Sequence, residues 1–240
     1  MRSSILSTLF VCLLQTNLIL AVGGEIKGNG NIIKENRNVS GYTEISAGGV
    51  FDVVLTQGET NSLQLEGEEN ILPHVQVVVK GDKLWISMDP VHNYKINKNI
   101  NVSITLPKLS GIDASGASKF TGTNVFNKSN DFEIDGSGVA KISLNLIAGN
   151  LEIDLSGASN LMLSGNATNA EIHLSGAADL EGKSLVTVGT EVKTSGASSV
   201  EITAFQTLDV QASGSSTVNF YGEAELTSTS SGSAKIKRLK

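Results

Sequence analysis

From Gly111 onward the chain alternates apolar and polar positions with a period of two, and seven times a small-residue phrase interrupts the alternation. The phrases are nearly the same: apolar, acidic, apolar, polar, then Ser-Gly, then Ala or another small residue, then a second apolar alternation. Its glycines are Gly116, Gly138, Gly157, Gly176, Gly196, Gly214 and Gly232, separated by 22, 19, 19, 20, 18 and 18 residues. Alternation of this kind predicts strands with one buried face, and a near-constant short period predicts stacked coils. The expected fold is all-β, a single-chain parallel β-solenoid wound as a right-handed β-helix with coils of 18–22 residues. No long window carries a 3.6-residue apolar period, so essentially no helix is expected in the mature chain.

Aligning the repeats on their glycines turns the sequence into columns, because equivalent residues of successive coils stack about 4.8 Å apart. Four positions before glycine stand Ile112, Ile134, Ile153, Ile172, Val192, Val210 and Ser228; six before stand Phe132, Leu151, Leu208 and Leu226. Four positions after it stand Phe120, Ile142, Leu161, Leu180, Val200, Val218 and Ile236. These columns are expected to face one another across a narrow core. The glycines are expected to serve the turn, through a positive φ or a close backbone approach, and the serines before them, Ser115 to Ser231, to hydrogen-bond along their column. A nucleophilic role for these serines fails, because seven equivalent serines cannot all be nucleophiles and no histidine recurs beside them.

The outward columns carry charge. Five before glycine come Gly111, Glu133, Glu152, Glu171, Glu191, Asp209 and Thr227; three before come Asp113, Asp135, Asp154, His173, Lys193, Gln211 and Thr229. One face should therefore carry eight carboxylates in two adjacent ladders. Two unit charges about 4.8 Å apart in water repel by only about 1 kcal/mol before screening, so a solvated acidic face is tolerated without a metal. The sequence holds neither the Gly/Asp nonapeptide of calcium-loaded rolls nor an Asp-x-Asp-x-Asp loop. No metal and no cofactor is expected. Catalysis is not expected either: the repeats have no long insertion to build a groove, and His74, His92 and His173 are scattered along the sequence.

Ahead of the repeats, irregularly spaced strands are expected at Asn31–Asn36, Phe51–Gln57, Ser62–Glu66, Val75–Lys80, Lys83–Met88 and Asn101–Leu106. Ile45 to Phe51 reads as a worn copy of the repeat phrase. Residues 1–23 carry one charge, Arg2, then the apolar stretch Ile5–Leu14 and the exit Ala21-Val22-Gly23, which reads as a secretory signal. The expected organisation is a signal peptide over 1–23 and one solenoid domain over 24–240, with irregular coils over 24–108 and regular Ser-Gly repeats over 109–240. The sole cysteine, Cys12, lies within the signal, so the mature chain would hold no disulfide. Export to the periplasm, cell surface or exterior follows, with no membrane-spanning segment in the mature chain. Without Arg2 the chain has 17 basic against 24 acidic residues, which argues against nucleic acid as a partner.

The opening Gly28-Asn29-Gly30-Asn31, the phrase Val39-Ser40-Gly41-Tyr42-Thr43-Glu44-Ile45, the strand Phe51-Asp52-Val53-Val54-Leu55-Thr56-Gln57-Gly58 and the Ser-Gly-Ala-Ser repeats resemble the bacterial family called putative auto-transporter adhesin, head GIN domain. The resemblance covers nearly the whole mature chain. It implies a bacterial exported β-solenoid and supplies no catalytic residues. The expected function is non-enzymatic adhesion or binding of a protein or glycan on the extended face, centred on Glu133, Asp135, Glu152, Asp154 and Glu171. The competing expectation is an envelope scaffold that self-associates as a homo-oligomer through its exposed ends, the basic Lys235–Lys240 segment capping the stack or touching the acidic face of another copy.

Overall fold

The computed structural model describes residues 24–240, so the expected signal segment lies outside the described residues. Nineteen strands follow the alternation. The first nine are β1 (Glu25–Lys27), β2 (Ile32–Arg37), β3 (Glu44–Gly49), β4 (Phe51–Gln57), β5 (Ser62–Glu68), β6 (Val75–Lys80), β7 (Lys83–Met88), β8 (Asn93–Lys95) and β9 (Ile100–Leu106). The repeats supply β10 (Gly111–Gly116), β11 (Lys119–Phe126), β12 (Asp131–Gly136), β13 (Lys141–Leu155), β14 (Asn160–Leu174), β15 (Asp179–Thr194), β16 (Ser199–Ala212), β17 (Thr217–Tyr221), β18 (Glu225–Ser230) and β19 (Lys235–Arg238). Apart from a single 3-10 turn at Leu72–His74, no helix occurs among the described residues.

The repeats form the expected parallel β-solenoid. Each coil rises from one Ser-Gly corner to the next, and its residues pair in register with the coil below: Ile112 with Ile134, Ile134 with Ile153, Ile153 with Ile172, Ile172 with Val192 and Val192 with Val210. All six are buried, and the opposing wall from Phe120 to Val218 is buried as well. A fully buried aliphatic side chain contributes about 1.5–3 kcal/mol, so stacking alone yields a core that no disulfide has to support. The inward pattern ends at the last coil. Leu226 is 38 % exposed, Ser228 is exposed and Ile236 is only partly buried, because no coil among the described residues covers them.

Glycine meets both expectations at the corner. All seven repeat glycines have positive φ, from 65° to 75°. A Cβ on Gly157 would stand 2.5 Å from the Gly138 carbonyl oxygen of the coil below. Such an approach lets Ala158 N–H donate to the Gly138 carbonyl and Ala177 N–H to the Gly157 carbonyl, each at 2.7 Å. The serines divide the work differently from the expected column of side-chain bonds. Ser156 and Ser213 reach carbonyls of the coil below only at 3.4 and 3.3 Å. The shorter bonds come from the second serine of the phrase, which is buried and closes its own turn: Ser118 to the Ser115 carbonyl, Ser159 to Ser156, Ser198 to Ser195 and Ser216 to Ser213, at 2.8–2.9 Å.

Residues 24–108, expected as irregular coils, supply one full coil and an antiparallel cap. The worn copy of the phrase becomes β3, which together with β4 seats β10 and β11 in register across 67 residues of sequence. β7 and β9 add a further parallel layer on β3 and β4. Beyond them β6 runs antiparallel to β7, β5 to β9 and β2 to β5. The cap covers strand edges that would otherwise template association. Its loops are gathered on Glu68, which is 1 % exposed and accepts hydrogen bonds from Gly30 N–H, Asn97 N–H and the Asn97 side-chain amide.

Gly157→Ala should destabilise the fold by about 2–4 kcal/mol, because it combines a left-handed backbone with contact to the Gly138 carbonyl. Urea unfolding followed by circular dichroism measures this, and an unchanged midpoint would contradict the corner packing described above.

Candidate functional site

Parallel register carries the outward residues into the two expected ladders. Glu133, Glu152, Glu171, Glu191 and Asp209 are successive partners along one column. Asp113, Asp135, Asp154, His173 and Lys193 are partners along the next. The structure therefore brings Glu133, Asp135, Glu152, Asp154 and Glu171 together on one face.

Neutralisation of this face is uneven. Toward the C-terminal end, Lys193 Nζ lies 2.7 Å from Glu191 and 3.7 Å from Glu171, while His173 lies 3.3 Å from Asp154 and 3.1 Å from Glu171. Toward the N-terminal end the cap contributes Lys83, 3.2 Å from Glu44. Burial pulls Lys83 down, but Glu44, Asp113 and Glu133 outweigh it and hold the lysine above its ordinary value. Between Lys193 and Lys83, Asp135 has no basic contact of its own. Burial first, then Glu133, Asp113 and Asp154, pushes its carboxyl up to about 6.

A groove borders each ladder. One, of about 640 Å³, runs between Asp135, Asp154, His173 and Lys193 and the corner serines such as Ser156 and Ser175. The other, of about 750 Å³, runs between Glu133, Glu152, Glu171 and Glu191 and a hydrogen-bonded ladder of Asp131, Asn150 and Asn169. In that ladder Asn150 donates to Asp131 at 2.7 Å and Asn169 to Asn150 at 3.0 Å. These three residues stand seven before their glycines, a column that the alignment contains but that reading by charge passed over.

Other residues on the face had no periodic signal. Lys83 pairs with Glu44 and Trp85 with Ser46, so the cap extends both columns by one layer. Trp85, the sole tryptophan, is 43 % exposed there, with Lys83 Nζ 5.8 Å from its ring centre. Gly111 interrupts the glutamate column and leaves room for the Glu44 side chain, whose Cγ would lie 3.2 Å from an added Cβ. The histidines are not all scattered in space. His74 and His92 meet on the cap, with ring centres 5.3 Å apart and Asp89 between them, outside both grooves. His173 alone joins the acidic face.

A family model described as putative auto-transporter adhesin, head GIN domain, matches residues 41–224. The chain belongs to that family. The matched span of the head GIN domain contains the whole acidic face from Glu44 to Asp209. Among solved structures, a putative adhesin from Bacteroides fragilis superposes with a TM-score of 0.84 at 24 % identity, covering 89 % of this chain and 100 % of that one. A putative adhesin from Parabacteroides distasonis reaches 0.71 at 19 % identity, covering 90 % and 100 %. A protein from the same organism described as a putative lipid binding protein reaches 0.71 at 20 % identity, with the same coverage. At these identities the likeness is one of fold. The comparison with curated proteins returned no match.

Because the folded protein holds a proton on Asp135 more tightly than the unfolded chain, this group favours folding below about pH 4, and that contribution is lost as pH rises to about 6. Asp135→Asn should therefore be more stable than the parent at pH 7 by about 1 kcal/mol, allowing for solvent screening of a partly exposed group. At pH 4 the difference should vanish. Thermal melts of both proteins at the two values test the sign.

Proposed function

We propose that the head GIN domain is an exported, non-enzymatic, adhesin-like protein that binds a protein or glycan through its acidic face. The observation that carries this reading is the in-register double ladder of carboxylates between two grooves. A partner that presents cationic or hydroxyl groups along an extended surface would meet equivalent acceptors at every coil, about 4.8 Å apart, and weak contacts would sum along the face. Trp85 adds an apolar platform at one end. The same charge repels phosphate backbones, which disfavours nucleic acid. The corner serines have neither a base nor an oxyanion pocket repeated beside them, in keeping with binding without turnover.

The direct experiment presents the full chain to a glycan array and to immobilised collagen, fibronectin, laminin and mucin. The parent should bind at least one of these in a salt-sensitive manner. The variant with Glu133, Asp135, Glu152, Asp154 and Glu171 replaced by Ser or Thr should keep its circular dichroism and bind at least about tenfold more weakly. Equal binding by the two proteins would overturn the assignment of the face. Protease added to intact cells should digest the protein if the face looks outward; protection, with a periplasmic control also protected, would move the partner inside the envelope.

Self-association as an envelope scaffold is favoured by a separate observation: every residue of β18, in the terminal coil, is exposed. A light-scattering mass equal to one chain over a wide concentration range would count against it.

A further inference from the structure

We propose that His74, Asp89 and His92 form a binding site for a late first-row divalent cation, with zinc as its reference ion, on the N-terminal cap. One ligand atom from each residue lies within 4.8 Å of the other two. Both imidazoles turn Nδ1 toward a single carboxylate oxygen: Asp89 Oδ2 is 4.0 Å from His74 and 3.7 Å from His92. These separations are too long for hydrogen bonds. They are close to the spacing of two ligands on one tetrahedral ion, about 3.4 Å when each bond is about 2.1 Å. A bound cation would draw Asp89 Oδ2 closer to each imidazole by about 0.3–0.6 Å.

The surroundings hold the donors in this attitude. Asp89 Oδ1 accepts the Val91 N–H at 2.9 Å, which orients the carboxylate and leaves Oδ2 free for the histidines. Asp89 N–H donates to the His74 carbonyl at 2.8 Å, so two of the three residues are joined through the backbone as well. Pro90 restricts the turn that follows. The Tyr94 ring packs against both imidazoles, with centres 5.5 and 6.2 Å away, and limits their rotation. His92 Nδ1 is buried as an atom and has no hydrogen-bond partner, a condition that ligation would relieve. The three side chains retain 24–30 % of their exposure, enough for an ion to enter.

The donor set narrows the ion. Two imidazoles and one carboxylate suit zinc, cobalt or nickel, whereas calcium and magnesium favour oxygen ligands such as the acidic face offers. Three protein ligands leave a fourth position for water or for a donor from a partner. The placement gives the ion a mechanical consequence. His74 ends the 3-10 turn before β6, Asp89 follows β7, and His92 precedes β8, whose partner is β1. The ion would clamp the β6–β7 hairpin to the segment that holds the first described strand. Cap stability would then depend on metal.

Calorimetric titration of the untagged full chain with zinc chloride, after removal of metal by EDTA, tests this at about pH 7.5. The expected result is saturable binding of one zinc per chain, with a rise in thermal midpoint that EDTA reverses. His92→Ala and Asp89→Asn should each weaken it on the order of 100-fold. Asp89→Asn retains an oxygen for Val91 N–H, so its loss of zinc would not come from loss of the turn. The variant lacking the five acids of the solenoid face should bind zinc as the parent does. No saturable binding by the parent, or equal binding by His92→Ala and Asp89→Asn, would overturn the proposal. So would loss of zinc in the five-acid variant, which would transfer the ion to the ladders.

Discussion

Backbone contact between stacked glycines at the Ser-Gly corner holds each coil in register with the next. The approach is so close that a single methyl group on one glycine would collide with the carbonyl below, and the same approach makes the short amide-to-carbonyl bonds that continue the ladder around the corner. A slip of one residue would break these bonds and turn every inward isoleucine outward, since side chains alternate with a period of two. The corner thus carries information as well as stability. It ensures that whatever stands at a given place in one coil stands directly above its counterpart in the next.

Register of that strictness has an electrostatic consequence. Acids written at equivalent positions become ladders whether or not they repel, and the chain offsets part of the repulsion with Lys193 toward one end and Lys83 toward the other. Asp135 falls between these groups and keeps its proton more readily than an ordinary aspartate. The face is therefore not a uniform acidic plane. It has a concentrated centre at Asp113, Glu133, Asp135 and Glu152, flanked by paired charges, with grooves on both sides and an exposed tryptophan at the cap.

The two ends of the stack solve the edge problem differently. At the N-terminal end the antiparallel strands β2, β5 and β6 take up the open edges, and Glu68 gathers their loops. At the C-terminal end the last coil keeps the register but abandons the apolar pattern, with Thr227, Ser228, Thr229 and Ser230 in place of the acidic and aliphatic columns. The His74, Asp89 and His92 cluster belongs to the more elaborate of the two ends, where several chain segments must be held together without a repeating contact.

Much of the solenoid was legible in the chain because a repeat writes its three-dimensional neighbours as a sequence period. Ile134 lies above Ile112 and Glu152 above Glu133 for the same reason that each pair shares a distance to its glycine. The core columns, the turn glycines and both acidic ladders followed from that one alignment, and the hydrogen-bonded ladder of Asp131, Asn150 and Asn169 was available from it. Contacts without a period were not legible. The arrival of Lys83 and Trp85 on the acidic face and the meeting of His74 with Asp89 and His92 depend on how the cap folds back on itself. Local alternation says which side of a strand a residue occupies; only the tertiary structure decides which strand lies beside it.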